Sequence, residues 1–386
     1  MMPNTPSSRA FSALSRPVAV FALAALLSGC LGSVQVRQFK AFAALDYGLP
    51  EKEVTLGGVR LVYVDLPAKA KTDEVIVLLS PSLMPLSIWR DVAPSLTEVA
   101  RVIAVDLPGF GKSDKPPRFR YHPEAFAAVL ARLLDHLKVA SVNLVGNSVG
   151  GGTALAFALR HPERTRRLVL AAPAGVGAVA PWKQRVVRWA IQPRSLRASP
   201  WFARFVITQG TFARASARTD AIVSDFIAVR GAGAEFDAWV TAQRKVLGNG
   251  GRYNVLDRVR AIAAPALVVW GDQDRIFPVA RGTLLTQRMK AAELVVLPGV
   301  GHMPEAEVPD ALVKLVTGFM RRTRPSPSVT APATSPTGPA KPAPDAADKN
   351  DKDGDKDDDK DDDKDEPGDK SDLKRLPQPE TSPFKL

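Results

Sequence analysis

Val142-Asn143-Leu144-Val145-Gly146-Asn147-Ser148-Val149-Gly150-Gly151-Gly152-Thr153-Ala154-Leu155 is the stretch on which the fold turns. An apolar, strand-like run (Val142–Val145) ends in G-x-S-x-G, and a helix-like stretch follows at once. A serine carried on a sharp, strained strand-to-helix turn needs small residues two positions away on each side. Gly146 and Gly150 meet that demand, and Gly151 extends it. A bare G-x-S-x-G also marks ordinary tight turns. The strand before it and the helix after it make Ser148 a candidate nucleophile.

Val54–Leu56 and Val59–Leu66 around Gly57-Gly58 read as a β-hairpin. Short Val/Leu-rich runs then recur at Val75–Leu79, Val102–Val105, Leu168–Ala172, Leu267–Trp270 and Leu294–Leu297. They do not alternate in polarity, as expected of strands buried on both faces of a parallel sheet. Helical patterns such as Glu124–Leu137 and Gly151–Leu159 lie between them. This order predicts an α/β domain, a doubly wound and mostly parallel sheet. The alternation breaks at about residues 178–262, where Trp182–Ile191, Trp201–Phe212, Thr219–Val229 and Glu235–Leu247 read as helices. A structureless loop of that length is improbable, so a helical insertion is expected. It is read as a cap over the carboxyl ends of the strands, where open α/β sheets bind ligands, or as a plain extra layer. Its Trp182, Trp189, Trp201, Phe202 and Phe205 suit either an apolar acyl or aromatic pocket or the cap's own core.

A serine nucleophile needs a base. Of the four histidines, His122 and His161 each precede a proline at an expected helix edge, and His136 lies within a helical pattern. His302 follows the last predicted strand in the glycine-containing loop Pro298-Gly299-Val300-Gly301-His302, from which it can reach the serine turn. The histidine in turn needs a carboxylate to hold its tautomer. The strand end at Ala172 leads into Pro173-Ala174-Gly175 without an acid, whereas Gly271-Asp272-Gln273-Asp274 offers two. From the residues alone both Asp272 and Asp274 remain candidates, Asp272 being close enough to the strand end to shape the turn.

The chain has 386 residues, 45% of them hydrophobic, and a formal charge of +12 that is unevenly spread. Residues 1–320 carry 39 Lys and Arg against 24 Asp and Glu, a net of +15, and residues 321–386 carry 13 against 16. A basic body points weakly to an anionic surface. No nucleic-acid-binding module is visible, so no nucleic-acid partner is expected. Arg9 and Arg16, the apolar run Val18–Leu27 and Ser28-Gly29 form the three regions of a secretory signal, residues 1–29. Leu27-Ser28-Gly29-Cys30 resembles a bacterial lipobox, after which Cys30 would be acylated and become the mature N-terminus. The plainer reading is a secreted protein whose single cysteine falls there. Acylation would place the protein in the bacterial envelope, and Leu31, where Asp often marks inner-membrane retention, leans toward the outer membrane. Residues 30–52 read as a tether and 53–320 as the folded domain. Residues 321–386, Pro-rich and then an Asp/Lys repeat, read as a disordered spacer or weak interaction tail. Asp351-Lys352-Asp353-Gly354-Asp355 lacks the closing Glu of a calcium loop, and no Cys/His metal spacing occurs, so no metal and no cofactor are expected.

Over about residues 53–320 the chain resembles the α/β-hydrolase superfamily, in its serine-dependent, cap-bearing branch. Asp106-Leu107-Pro108-Gly109-Phe110-Gly111-Lys112-Ser113 is similar to the D-x-P-G-x-G-x-S turn, Gly146–Gly150 to the nucleophile elbow, Gly271–Asp274 to the G-x-x-D segment and Gly301-His302 to the histidine turn. The resemblance implies Asp274 as the acid beside Ser148 and His302. The region from Gly146 to Leu155 is similar to carbon–carbon bond hydrolases of ring-opened aromatics and to carboxylesterases. Serine at 148 argues against the dehalogenases and epoxide hydrolases of this fold, which use Asp. The family opens the loop after the third strand with His-Gly, where this chain has Ser80-Pro81. Counting back from Trp89 implies oxyanion donors at the amides of Ser82 and Val149, unless Ser80–Met84 is a plain connecting loop. The resemblance thus implies a small acyl or ester substrate, with carbon–carbon or amide hydrolysis, or a non-catalytic envelope binding protein, as alternatives.

Overall fold

The structure, a computed structural model, describes residues 41–322 except 178, 194–195, 197–199 and 230–232. Residues 41–322 lie within one compact unit that ends at Val329; Thr330–Leu386, a second unit, lie outside the described residues, as do the signal segment and Cys30. Among the described residues eight strands form a single sheet, β1 (Glu51–Leu56), β2 (Val59–Leu66), β3 (Val75–Leu79), β4 (Arg101–Asp106), β5 (Val142–Asn147), β6 (Thr165–Ala171), β7 (Ala266–Gly271) and β8 (Ala292–Leu297). Their spatial order is β1-β2-β4-β3-β5-β6-β7-β8. The first two pairings, β1 with β2 and β2 with β4, are antiparallel, and the rest are parallel. The hairpin and the doubly wound sheet read from the sequence are thus present. Where connections leave β3 and β5 for opposite sides of the sheet, a crevice opens at the carboxyl ends of the strands.

The Val/Leu-rich runs form strands because their residues have apolar matter on both faces. Every residue of β3, β5 and β7 is buried. The expectation fails at β8. It is an edge strand whose residues are only partly covered, with Glu293 and Val296 facing solvent and no ninth strand beside it among the described residues. Helices α1 (Ala93–Leu96), α2 (Pro123–His136) and α3 (Val149–Arg160) follow the early strands, with α3 packed against β5, β6 and β3. His122 caps α2, its Nδ1 accepting the amide of Glu124. At the amino-terminal ends of the strands, Arg167 binds Glu74 (3.1 Å) and Asn143 (3.0 Å), a polar cluster away from the loops that follow the strands.

The insertion forms α4 (Pro181–Ala190), α5 (Pro200–Thr211), α6 (Ala217–Ala228) and α7 (Ala234–Arg252), after which α8 (Ala280–Arg288), α9 (Pro304–Glu307) and α10 (Pro309–Arg322) complete the sheet domain. The apolar core of the insertion is built from Ile207, Val223, Phe226, Phe236, Trp239 and Val240. Trp182, Trp189 and Trp201 are instead 63%, 57% and 52% exposed. The sequence offered these rings as pocket lining or cap core, and they are neither. They lie on the outward face because the i, i+3, i+4 stripe that meets the core is filled by smaller apolar residues such as Ala203 and Ile207. The described part of the segment read as a tether is also packed. Phe42, Leu45 and Tyr47 are buried, Phe42 lying 5.4 Å from the ring of Trp239.

Two fully buried carboxyls have raised pKa values. Asp106, at the end of β4, accepts hydrogen bonds from Tyr47 Oη (2.6 Å) and the amides of Leu86 (2.7 Å) and Lys112 (2.9 Å). Burial pushes its pKa up to about 6 against the pull of those donors. Glu305, in α9, has neither carboxyl oxygen paired, and burial pushes it up to about 8. Both folded values exceed the ordinary ones, so the folded state holds more protons than the unfolded chain across each interval. Stability is then fully present below the unfolded pKa and falls as pH rises toward the folded one. For Glu305 the interval runs from 4.5 to about 8, with a slope of at most about 1.4 kcal/mol per pH unit. The melting temperature should fall between pH 5 and 8, and Glu305→Gln should flatten that fall; an unaltered slope in thermal melts of the variant would exclude Glu305 as its source.

Candidate active site

Ser148 stands between β5 and α3 with φ 51° and ψ −115°, a backbone conformation that L-residues seldom adopt. The turn is held by its amide, which donates to Ala171 O (2.9 Å), and by its carbonyl, which accepts from the amides of Gly152 (2.9 Å) and Ala174 (2.8 Å). The glycines are required by contact. A Cβ on Gly150 would lie 2.1 Å from Leu79 O, and one on Gly146 would lie 2.5 Å from the backbone of Gly150. The elbow is thus pressed against the carboxyl end of β3, beside the loop Ser80–Met84.

His302 and Asp274 meet as the resemblance implies. His302 Nδ1 and Asp274 Oδ2 are 2.8 Å apart and both side chains are buried. The other carboxylate oxygen accepts the amides of Ile276 (2.8 Å) and Phe277 (2.9 Å), and the Phe277 ring stands edge-on to the imidazole. Asp272 takes a different part. It accepts the amide of Gly299 (2.7 Å), tying the loop after β7 to the loop after β8. Those loops pack backbone to backbone, since a Cβ on Gly271 would meet the carbonyls of Val300 and Gly301 at 2.2 Å. That approach sets Asp274 beside His302.

Ser148 Oγ makes no hydrogen bond to His302 among the described residues, and such contacts are commonly long in a free enzyme. The two segments are joined next door. Asn147 Nδ2 donates to His302 O (2.8 Å) and to Ala171 O (3.2 Å). On its other side, the His302 amide donates to Thr211 O (2.8 Å) at the end of α5. Glu307 accepts the amides of Gly301 (3.0 Å) and Ala213 (2.8 Å). The histidine turn is therefore clamped between the elbow and the cap. Thr211 and Glu307 carry no signal in the sequence. Asn147 belongs to the Gly-Asn-Ser elbow, but the role it takes here depends on a partner 155 residues away.

The loop that departs from His-Gly is ordered by its own contacts. Ser80 Oγ accepts the indole N–H of Trp89 (3.2 Å) and lies 3.4 Å from Pro85 O. Leu83 has φ 69°, and its amide donates to Gln243 Oε1 (2.7 Å), while Gln243 Nε2 donates to Gly109 O (2.7 Å). Gln243 of α7 is fully buried, so one cap side chain fixes both the Ser80–Met84 loop and the Asp106–Ser113 turn. The amides of Ser82 and Val149, the expected oxyanion donors, make no hydrogen bond among the described residues. A small apolar cleft lined by Leu83, Met84, Ile88, Phe226 and Trp239, with Arg90 paired to Asp225 (3.1 Å), has none of Ser148, Val149, Asp274 or His302 in its wall. Among the described residues no group of His, Cys, Asp and Glu is placed to hold a metal.

The sequence pattern of the alpha/beta hydrolase fold matches residues 78–306. A 2-hydroxy-6-oxo-2,4-heptadienoate hydrolase of Pseudomonas putida is 32% identical over 257 residues, 62% of this chain and 85% of that protein. The enol-lactonase of Burkholderia xenovorans LB400 superposes with a TM-score of 0.60 at 26% identity, covering 70% of this chain and all of that one. A meta-cleavage product hydrolase from Pseudomonas fluorescens IP01 superposes with a TM-score of 0.61 at 23% identity, over 72% of this chain and 99% of that one. With the pattern matching more than half of its length and relatives that are hydrolases, this chain belongs to the alpha/beta hydrolase fold family and is an enzyme of the hydrolase kind.

Proposed function

We propose that the chain cleaves ester-like bonds by nucleophilic catalysis with Ser148, His302 and Asp274. The carrying observation is the buried 2.8 Å contact between His302 Nδ1 and Asp274, next to a serine held on a strained turn. With its Nδ1 proton donated to Asp274, neutral His302 presents Nε2 as a proton acceptor. Ser148 Oγ attacks the substrate carbonyl carbon and passes its proton to Nε2. The carbonyl oxygen becomes an oxyanion, stabilised by the amides of Ser82 and Val149. Collapse of that intermediate expels the alcohol, which takes the proton from His302. Water, deprotonated by the same nitrogen, then attacks the acyl-serine and frees the acid and Ser148.

Ester cleavage asks least of the site, since a nucleophile, base, acid and two oxyanion amides suffice for it. The second reading, carbon–carbon or amide hydrolysis, draws its support from the Pseudomonas putida relative, whose name specifies a 2-hydroxy-6-oxo-dienoate. Family membership and hydrolase relatives leave the non-catalytic alternative without support. Ser148→Ala should lower turnover of short acyl esters by at least ~10⁴-fold and Asp274→Asn by roughly 10³–10⁴-fold. Steady-state kinetics on ester, amide and vinylogous diketone substrates check this. Undiminished ester turnover in Ser148→Ala sinks the mechanism, and diketone turnover above ester turnover selects the second reading.

Envelope tethering through acylated Cys30 belongs to the same proposal and rests on the Leu27–Cys30 sequence. Expressed in a bacterium, Cys30→Ser should move the protein from the membrane pellet toward the soluble fraction and remove the acyl mass from the mature N-terminus. Unchanged mass and fractionation would rule the anchor out.

A further inference from the structure

The outward face of the cap combines two features. The first is the exposed tryptophans. The chain has six, and Trp89, Trp239 and Trp270 are buried. The other three, Trp182, Trp189 and Trp201, all stand on α4 and α5, each more than half exposed. Trp182, Arg185 and Trp189 are spaced i, i+3, i+7 along α4, which puts them on one exposed strip of the helix. On α5, Trp201 stacks on Phe205 (5.4 Å between rings, 17° between planes), with exposed Arg204 between them in sequence. Leaving large indole rings in water forgoes the stabilisation of burying them, so three on two successive helices call for an occupant.

The second feature is charge. Residues 181–219 hold eight Lys and Arg and no Asp or Glu, with Arg204 paired to Asp220 and Arg218 to Asp91 (2.7 Å) from outside that stretch. A protein groove for an ordinary apolar partner does not need a net basic segment, whereas an anionic bilayer surface is matched by one. Each Lys or Arg near such a surface adds attraction, and indole rings settle at the level of the lipid head groups. Helices that bind in the interfacial plane carry this composition, basic on the polar side and Trp, Phe or Leu on the other. Among the described residues no helix is long and apolar enough to cross a membrane, so insertion of this kind would be shallow.

We infer that the Trp182–Trp189–Trp201 face of the cap docks on an anionic lipid surface, independently of any acyl group on Cys30. The placement has a consequence for the site. α5 begins with Trp201 in its first turn and ends at Thr211, whose carbonyl receives the His302 amide. A helix rises 1.5 Å per residue, so the docking ring and the histidine turn are about 15 Å apart on one rigid element. Docking therefore holds the crevice near the bilayer, within reach of a molecule partly lifted from it.

The test uses the full chain as Cys30→Ser, which carries no acyl group, with vesicles of phosphatidylcholine alone or mixed with phosphatidylglycerol. All six tryptophans lie in the described domain and three are already buried, so a shift in emission reports the cap. The expected result is a blue shift and co-sedimentation with the anionic vesicles, both diminished by high salt and weak with phosphatidylcholine alone. Adding Trp182→Ala, Trp189→Ala and Trp201→Ala should weaken sedimentation by ~10-fold or more, and Arg185→Glu should weaken it while keeping the tryptophans. Turnover of a soluble short acyl ester should be unchanged in these variants, which separates docking from catalysis. Sedimentation of the triple variant equal to its parent, absence of a blue shift, or equal binding to neutral and anionic vesicles would each overturn the inference.

Discussion

The strained backbone of Ser148 is the constraint around which the other parts are arranged. Holding a non-glycine residue at φ 51° and ψ −115° costs on the order of 1–3 kcal/mol, and the turn persists because its surroundings over-determine it. Its amide and carbonyl are committed to Ala171, Gly152 and Ala174. The same turn demands that Gly150 lie against Leu79 O. That contact fixes how closely α3 approaches the end of β3, and so brings the Val149 amide near the loop that bears Ser82. The crevice at the switch point is thus a by-product of making the serine protrude.

Local features of the site were legible and long-range ones were not. The strands, the elbow, and Ser148 and His302 as candidate nucleophile and base follow from hydrophobic runs and turn chemistry that act over a few residues, whereas Asp274 comes from the family resemblance. Asp272 and Asp274 could not be separated from residues alone, because both follow β7 at once. What separates them is the loop after β8: Asp272 binds the Gly299 amide and Asp274 binds the imidazole, some 28 residues on. Gln243 was invisible for the same reason. Nothing near it in sequence announces that its amide group will bridge Leu83 and Gly109 from the cap.

The cap shows a different kind of gap. Aromatic residues in a helical insertion read equally well as core or pocket, because periodicity reports which residues share a face and not which way the face points. The direction is decided by what the opposite stripe offers. Ala203, Ile207, Val223 and Phe236 already fill the interior, leaving no room for three further indoles. The edge strand β8 is the same lesson in the sheet: Leu294–Leu297 reads as a buried strand, and its place at the edge leaves Val296 in solvent and the other three only partly covered.

The loop after β3, Ser80–Met84, is held from several sides. Ser80 fixes it with a hydroxyl that accepts the Trp89 indole N–H. Pro81 contributes no donor, but it stiffens the chain just before Ser82. Leu83 then takes a positive φ that is secured from outside by Gln243. Control of the Ser82 amide has therefore passed partly from the loop to α7 of the cap. Asp106 reinforces it from below, since one buried carboxyl receives Tyr47 from the amino-terminal segment, Leu86 from the loop and Lys112 from the neighbouring turn. In such an arrangement the amino-terminal segment, the cap and the Ser80–Met84 loop are mechanically one unit. A displacement of the cap is felt beside Ser82 through Gln243 and at His302 through Thr211.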